Sequence, residues 1–409
     1  MTMPSETFEC VVVGTGPAGM IAALALASRG VRTALVGPAP NMNDSRTTAL
    51  MAASKDFLEN IGIWAALEAD FTALEKMRLI DGTTRLIRAR ETTFDAHELK
   101  LPAFGYNILN KNLNRGLEKL IGENCDVTFI EGSVTSVRSS PTEATLTLAG
   151  GQTLAAKLVV GADGRKSLVR EAAGIDVDTW AYKQSALVMN LSHDLPHYNV
   201  STEFHRETGP FTLVPLPGRE SALVCVEAPD VAERLSRLDD ETLARELEDI
   251  AHSVLGKFKV VSERQVYPMS GLKAKRLSGN RSVLVGEAAH AFPPIGAQGL
   301  NLSLRDIAVI ADLAGKAKAH HQDPGGDDVL ASYERQRWSD INSRTNAVDL
   351  LNRSLLTSAL PIQVLRSIGL YTASTLGPVR RLLMREGIAP TFLLPRLMRR
   401  TAPTANSRA

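Results

Sequence analysis

The sequence predicts a chain of the α/β class: a parallel sheet wrapped by helices, interrupted by an antiparallel sheet and closed by C-terminal helices. Three observations carry this. An apolar strand at residues 8–13 runs through Gly14-Thr15-Gly16-Pro17-Ala18-Gly19 into a helix rich in alanine and leucine. Residues 175–274 are mostly short alternating segments bounded by turn residues, and from Val329 onward the apolar spacing is helical.

The first stretch is the most informative. Gly30 closes the helix and residues 31–36 read as a second strand, so the unit is a complete βαβ carrying G-x-G-x-x-G, which makes the parallel sheet Rossmann-like. Gly14 permits the tight turn off the strand. Gly16 lets backbone approach a pyrophosphate, and Gly19 lets helix and strand pack closely. The helix start, with Pro17 and Ala18, then turns free N–H groups toward phosphates. One expected part is missing. A dinucleotide site usually has an acid at the end of the second strand for the adenosine ribose, whereas this chain reads Leu35-Val36-Gly37-Pro38.

Further along, residues 41–48 form a polar loop with Asp44 and Arg46, and a helix is expected over residues 49–67. Residues 75–100 switch to short alternating strands of a different sheet, and residues 106–121 have helical spacing. A hairpin at Gly150-Gly151 leads to an apolar strand ending in Gly161-Ala162-Asp163-Gly164, a second parallel strand that delivers its carboxyl end to the crevice, with residues 167–173 helical behind it. The 175–274 region contains strands at 211–215 and 222–227 joined through Pro217-Gly218, and one amphipathic helix near 240–255. A last buried strand at 282–285 ends in Gly286-Glu287-Ala288-Ala289-His290, and a long helix is expected over 300–316. The resulting division assigns 1–74, 101–174 and 275–345 to the nucleotide-binding domain, 75–100 and 175–274 to a substrate domain, and 346–409 to a C-terminal helical region.

Composition bounds the function. With 409 residues, 44% hydrophobic and 22% charged, the chain can build a large core, and a net charge of +1 offers no field for nucleic acid. Cys10, Cys125 and Cys225 suit neither a metal site nor a disulfide framework, which fits a reducing cytoplasm. The final residues set Arg380, Arg381, Arg385, Arg396, Arg399 and Arg400 among leucines. This basic end either rests on the inner face of a membrane or on a biosynthetic partner, or is a solvated helix.

Three stretches in one order, the N-terminal G-x-G-x-x-G, the G-A-D-G ending at Gly164, and Gly286-Glu287-Ala288-Ala289-His290 running into Pro294-x-x-x-Gln298-Gly299-x-Asn301, resemble the single-component flavin-dependent aromatic hydroxylases of the para-hydroxybenzoate hydroxylase fold. Asp44-x-Arg46-x-x-Ala49-Leu50, Gly209-Pro210 with Leu213-Val214-Pro215-Leu216-Pro217, and the 298–306 segment are similar to the ubiquinone-biosynthesis branch. The resemblance implies FAD as cofactor and NAD(P)H or another donor of electrons. It also implies hydroxylation of a polyprenylated phenol through a flavin C4a-hydroperoxide. Gly14, Gly16, Pro17, Ala18 and Gly19 would hold the pyrophosphate, Arg46 would reach the same phosphates or the nicotinamide, and Asn110 would touch the ribityl side. Val134, Asp163, Gly286, Glu287, Leu300 and Asn301 would complete the cofactor contacts, with Glu287 standing where the family usually has Asp.

The segment holding Pro294, Gly296, Gln298 and Gly299 is the expected catalytic loop, since a helix N-terminus can stabilise electron-rich flavin without a titratable side chain. No side-chain base is assigned. His290 is expected to be a hydrogen-bonded structural residue, while His205 either contacts a phenol or points at solvent. Phe211, Leu213 and Pro293 are expected to line an apolar substrate pocket. The alternatives are a hydroxylase of small soluble phenols and a non-catalytic flavin-fold protein that carries prenyl lipids or scaffolds an assembly.

Overall fold

The computed structural model describes residues 6–83, 90–293, 297–356, 380–381, 384–385 and 394–400. Pro294 and Gly296, expected in the catalytic loop, lie outside them. Strand β1 (Glu6–Val13), helix α1 (Pro17–Ala27) and strand β2 (Thr33–Gly37) form the opening βαβ, and β3 (Lys76–Asp81) then leaves for a second sheet. Helix α2 (Asn110–Gly122), β4 (Val127–Glu131) and β5 (Thr153–Gly161) return to the first. Strands β6 (Val177–His193), β7 (Val200–His205), β8 (Pro210–Leu216) and β9 (Glu220–Glu227), helices α3 (Pro229–Arg237) and α4 (Asp240–Ile250), and β10 (Gln265–Ala274) build the second. Strand β11 (Ser282–Leu284) and helices α5 (Gln298–Ala319) and α6 (Asp327–Leu356) follow.

The first sheet has a parallel core in the order β11-β5-β1-β2-β4, to which the strands Val134–Ser139, Ala144–Leu148 and Ser278–Gly279 add antiparallel. Its central strands β1, β2, β5 and β11 are buried along most of their length and read as aliphatic runs for that reason, whereas β4 at the edge is largely exposed. Helix α1 is buried from Gly19 to Ala27 because it is caught between the sheet and α5, so its apolar residues encircle the helix instead of forming a stripe.

The second sheet runs β10-β6-β9-β8-β7-β3. It is antiparallel except where β7 pairs parallel with β3, Val200 opposite Lys76, an arrangement that joins the 76–81 strand to the later sheet. Leu187, Met189, Phe204, Phe211, Leu213, Leu223 and Cys225 point to one face and pack under Leu235, Leu243 and Leu247 of α3 and α4.

Three local expectations change. Residues 47–51 and 105–109 are paired strands, not helix starts; helices begin only at Ala52 and Asn110. Cross-strand pairing overrides a helical spacing that extends a few residues too far upstream. The 229–255 region holds two helices where one was expected, the first opened by Pro229 at its start and the second capped by Asp239, whose carboxylate accepts from Thr242 N at 2.9 Å.

Candidate active site

The turn between β1 and α1 is shaped by collisions that side chains would cause. A Cβ on Gly14, at φ +113°, would lie 2.3 Å from Ala162 O, and one on Gly19 only 1.8 Å from Gly14 O. A Cβ on Gly16 would meet nothing within 4 Å. Two glycines therefore close the turn and the third leaves its outer side open, where α1 begins with no side-chain cap on its N–H groups. Opposite, Asp163 accepts from Val169 N at 3.1 Å through one oxygen, while its other oxygen is buried and unpartnered among the described residues. An open phosphate cradle beside an unsatisfied carboxylate fits a dinucleotide with ribityl or ribose hydroxyls to donate. Val134 opens the strand Val134–Ser139, half-buried against the same core.

Arg46 is held from behind. Its Nε donates to Asp44 Oδ1 at 2.8 Å and Nη2 to Oδ2 at 2.6 Å, while Asn110 Nδ2 reaches the same carboxylate at 3.0 Å and Asn110 Oδ1 accepts from Thr48 at 2.7 Å. Burial raises the Asp44 pKa, but the bonds from Arg46 and Asn110 outweigh it and hold the carboxyl below its usual range. The guanidinium then projects over the ring of Tyr267 on β10, 5.5 Å from its centroid. Tyr267 carried no local signal in the sequence. Only the sheet register brings it to the loop.

The 286–306 segment is organised by one buried carboxylate. Asp306 accepts from Gly286 N at 3.2 Å, His290 Nε2 at 2.7 Å and Arg337 Nε at 2.7 Å. Arg337 continues to Asp340 at 2.6 Å, which also takes Arg305 at 2.6 Å and Arg344 at 2.8 Å, and Arg344 Nη1 lies 3.4 Å from Gln298 Oε1. Burial raises the Asp306 pKa, and His290 and Arg337 more than offset it, so the carboxyl is lowered and ionised. His290, 2% exposed and stacked on Phe292, is thereby a brace for the loop. Arg337, Asp340 and Arg344 share one face of α6 at i,i+3 and i,i+4 spacing, but their link to Asp306 and Arg305 escaped sequence reasoning because ion pairs between helices leave no spacing pattern.

The Asn301 side chain is spent within the protein, which leaves any cofactor contact at this position to its backbone. All four hydrogen-bonding positions of its amide are taken, Oδ1 by Met51 N (2.8 Å) and Ser54 Oγ (2.6 Å), Nδ2 by Ala49 O (2.8 Å) and Ala297 O (2.6 Å). Its side chain staples the start of α5 to the 49–54 segment and has no capacity left for a cofactor. Gly299 is exposed with nothing within 4 Å of a built Cβ, and Leu300 is half-buried beside it. Glu287 points outward, 3.5 Å from Arg165. Gly286 has φ +60°, and a Cβ there would meet Ser303 Oγ at 2.9 Å.

Phe211 and Leu213, expected to line the substrate pocket, are a correction. They lie on the sheet face covered by α3 and α4, fully buried in its core. The face turned to the Asp44–Arg46 loop carries the alternate residues: half-buried Val188, Val214 and Val224, with Asn190 donating to Ser45 O at 2.9 Å. His205 is on this face and bonded to Glu203 at 2.8 Å. Pro293 is buried.

Residues 7–345 match the FAD binding domain family. The chain is 33% identical over 401 residues to the ubiquinone hydroxylase UbiL of Rhodospirillum rubrum, covering 96% of this chain and 92% of that one. It is 29% identical to the 3-demethoxyubiquinol 3-hydroxylase of Escherichia coli, over 93% of this chain and 98% of that one. Among solved structures, the p-nitrophenol 4-monooxygenase PnpA of Pseudomonas putida DLL-E4 shares the fold with a TM-score of 0.76 at 22% identity, covering 94% and 99% of the two chains. The crevice and the fold define an FAD-binding enzyme. Within that class, the chain belongs to the FAD-dependent aromatic monooxygenases of the ubiquinone-hydroxylase family.

Proposed function

We propose that this enzyme hydroxylates the ring of a polyprenylated phenol on the route to ubiquinone, drawing electrons from NAD(P)H or another donor. The observation that carries the reading is an apolar floor, Val188, Val214 and Val224, facing the loop that presents Arg46. Met77, Leu79 and Leu101, packed with Phe94 and Phe104, extend apolar surface toward the edge of the same sheet. Such a lining favours a greasy phenol over a small acid. Bound FAD, once reduced, supplies oxygen activation for transfer to an electron-rich ring.

The chain's own residues do the rest. The 14–19 turn and the start of α1 bind the diphosphate. Asp306, through Gly286 and His290, and Asn301, through Ala49 and Ala297, hold the N-terminal end of α5 in place, so that its positive dipole end faces the cofactor without reorganisation. The valine floor excludes water. Arg46, braced by Asp44, offers a fixed cation to phosphate or nicotinamide. Exposed Arg381, Arg385 and Arg396 give the basic end a face for an anionic membrane or an assembly partner; Arg380 is instead bonded to Glu98, and Arg400 lies 3.5 Å from Asp56. Among the described residues no helix is long and apolar enough to cross a membrane.

The test is the quinone pool of a strain lacking the gene. It should accumulate a prenylated precursor missing one ring oxygen, restored by the intact gene. A normal pool, or tight coupling of NAD(P)H oxidation to a small phenolic acid by the purified yellow protein, overturns the reading.

A further inference from the structure

The acid missing from the end of β2 has a structural cause and a neighbour. A Cβ on Gly37 would lie 2.7 Å from Thr15 Cγ2 and 2.8 Å from Thr15 Oγ1. Thr15 is 6% exposed and its hydroxyl donates to Pro38 O at 2.6 Å, so it is fixed in the space that a side chain at position 37 would need. Within this arrangement an aspartate or glutamate at 37 cannot be accommodated, and the ribose contact has to come from elsewhere.

Strand β4 lies beside β2, parallel and in register, with Glu131 directly opposite Gly37. The next residue secures the alignment: Gly132 N donates to Gly37 O at 3.0 Å. In-register residues of parallel strands project to the same face, and neighbouring strands lie about 4.8 Å apart, a gap that a glutamate side chain crosses. Glu131 is exposed at the carboxyl end of its strand, the edge at which open α/β sheets bind ligands. Its carboxylate makes no hydrogen bond or ion pair with the described residues. We infer that Glu131 takes the adenosine ribose hydroxyls of the dinucleotide from the adjacent strand, in place of the acid that Thr15 displaces from β2. The inference rests on the FAD-binding reading of the crevice.

The experiment titrates cofactor-free protein by quenching of flavin fluorescence, with FAD and with an FAD analogue whose adenosine ribose lacks both hydroxyls. Glu131→Gln should bind FAD about 10- to 100-fold more weakly than the unaltered protein, the range for one charged hydrogen-bonding partner. The two proteins should bind the analogue alike, with unchanged thermal unfolding. Equal FAD affinity overturns the assignment. So does an equal loss for both ligands, which would mark a disturbed strand end and not a lost ribose contact. Failure of the unaltered protein to bind FAD at all would overturn the flavin reading beneath it, a distinct result.

Discussion

Gly16 and Gly19 are three residues apart in one turn and fail in opposite ways. Gly19→Ala drives a methyl into the carbonyl of Gly14 at 1.8 Å, so backbone must move. Gly16 has φ −70°, which alanine adopts freely, and no protein atom lies within 4 Å of the new methyl. We expect Gly16→Ala to unfold within about 0.5 kcal/mol of the unaltered protein while losing most of its FAD affinity, because only the ligand occupies that space. Gly19→Ala should cost at least about 1–3 kcal/mol. Thermal unfolding of the cofactor-free proteins beside FAD titrations separates the two. Asn301 teaches the converse lesson. Its place in the motif was legible, but its role was not, because hydrogen-bond saturation depends on Ala49, Met51 and Ser54, some 250 residues away.

Between helices α5 and α6 the decisive unit is the carboxylate of Asp306, buried with His290 and Arg337. Removing its charge leaves the Arg337 guanidinium dry and short of one counter-ion, so Asp306→Asn should destabilise the enzyme by about 3–5 kcal/mol at neutral pH. The pH dependence follows from the lowered pKa. A carboxyl whose folded pKa lies below its unfolded value of about 3.9 contributes fully above that value, and loses the contribution as pH falls toward the folded one. The gap in unfolding midpoint between the unaltered protein and Asp306→Asn should therefore be constant above pH about 5 and narrow below about 4. A gap that widens on acidification would contradict the assignment of charge.

Across the whole molecule, one sheet serves two purposes through its two faces. Phe211 supports the core under α3 and α4, and Val224, on the next strand, points to the opposite face, the one that meets the Asp44–Arg46 loop through Asn190. Phe211→Ala should cost about 3–5 kcal/mol of stability and leave KM for the aromatic substrate nearly unchanged in protein that remains folded. Val224→Asp should do the reverse, raising KM at least about tenfold by placing a carboxylate in an apolar lining, with a smaller effect on unfolding. Unfolding curves and steady-state kinetics on both variants decide it.

The sequence by itself determined the βαβ unit, its dinucleotide-binding turn and the order of the parallel strands' turns, because glycine spacing, aliphatic runs and caps act within about thirty residues. Tertiary structure alone decided which face of the antiparallel sheet is covered by helices and which turns to the Asp44–Arg46 loop. Both faces are apolar, so alternation could name two sets of residues without choosing between them; the choice fell to α3 and α4, which cover Phe211 and Leu213. The pairing of Arg337 with Asp306 and of Glu131 with Gly37 was also beyond local reading. Such contacts arise when distant segments are packed side by side, and ion pairs and strand register impose no period on the chain that carries them.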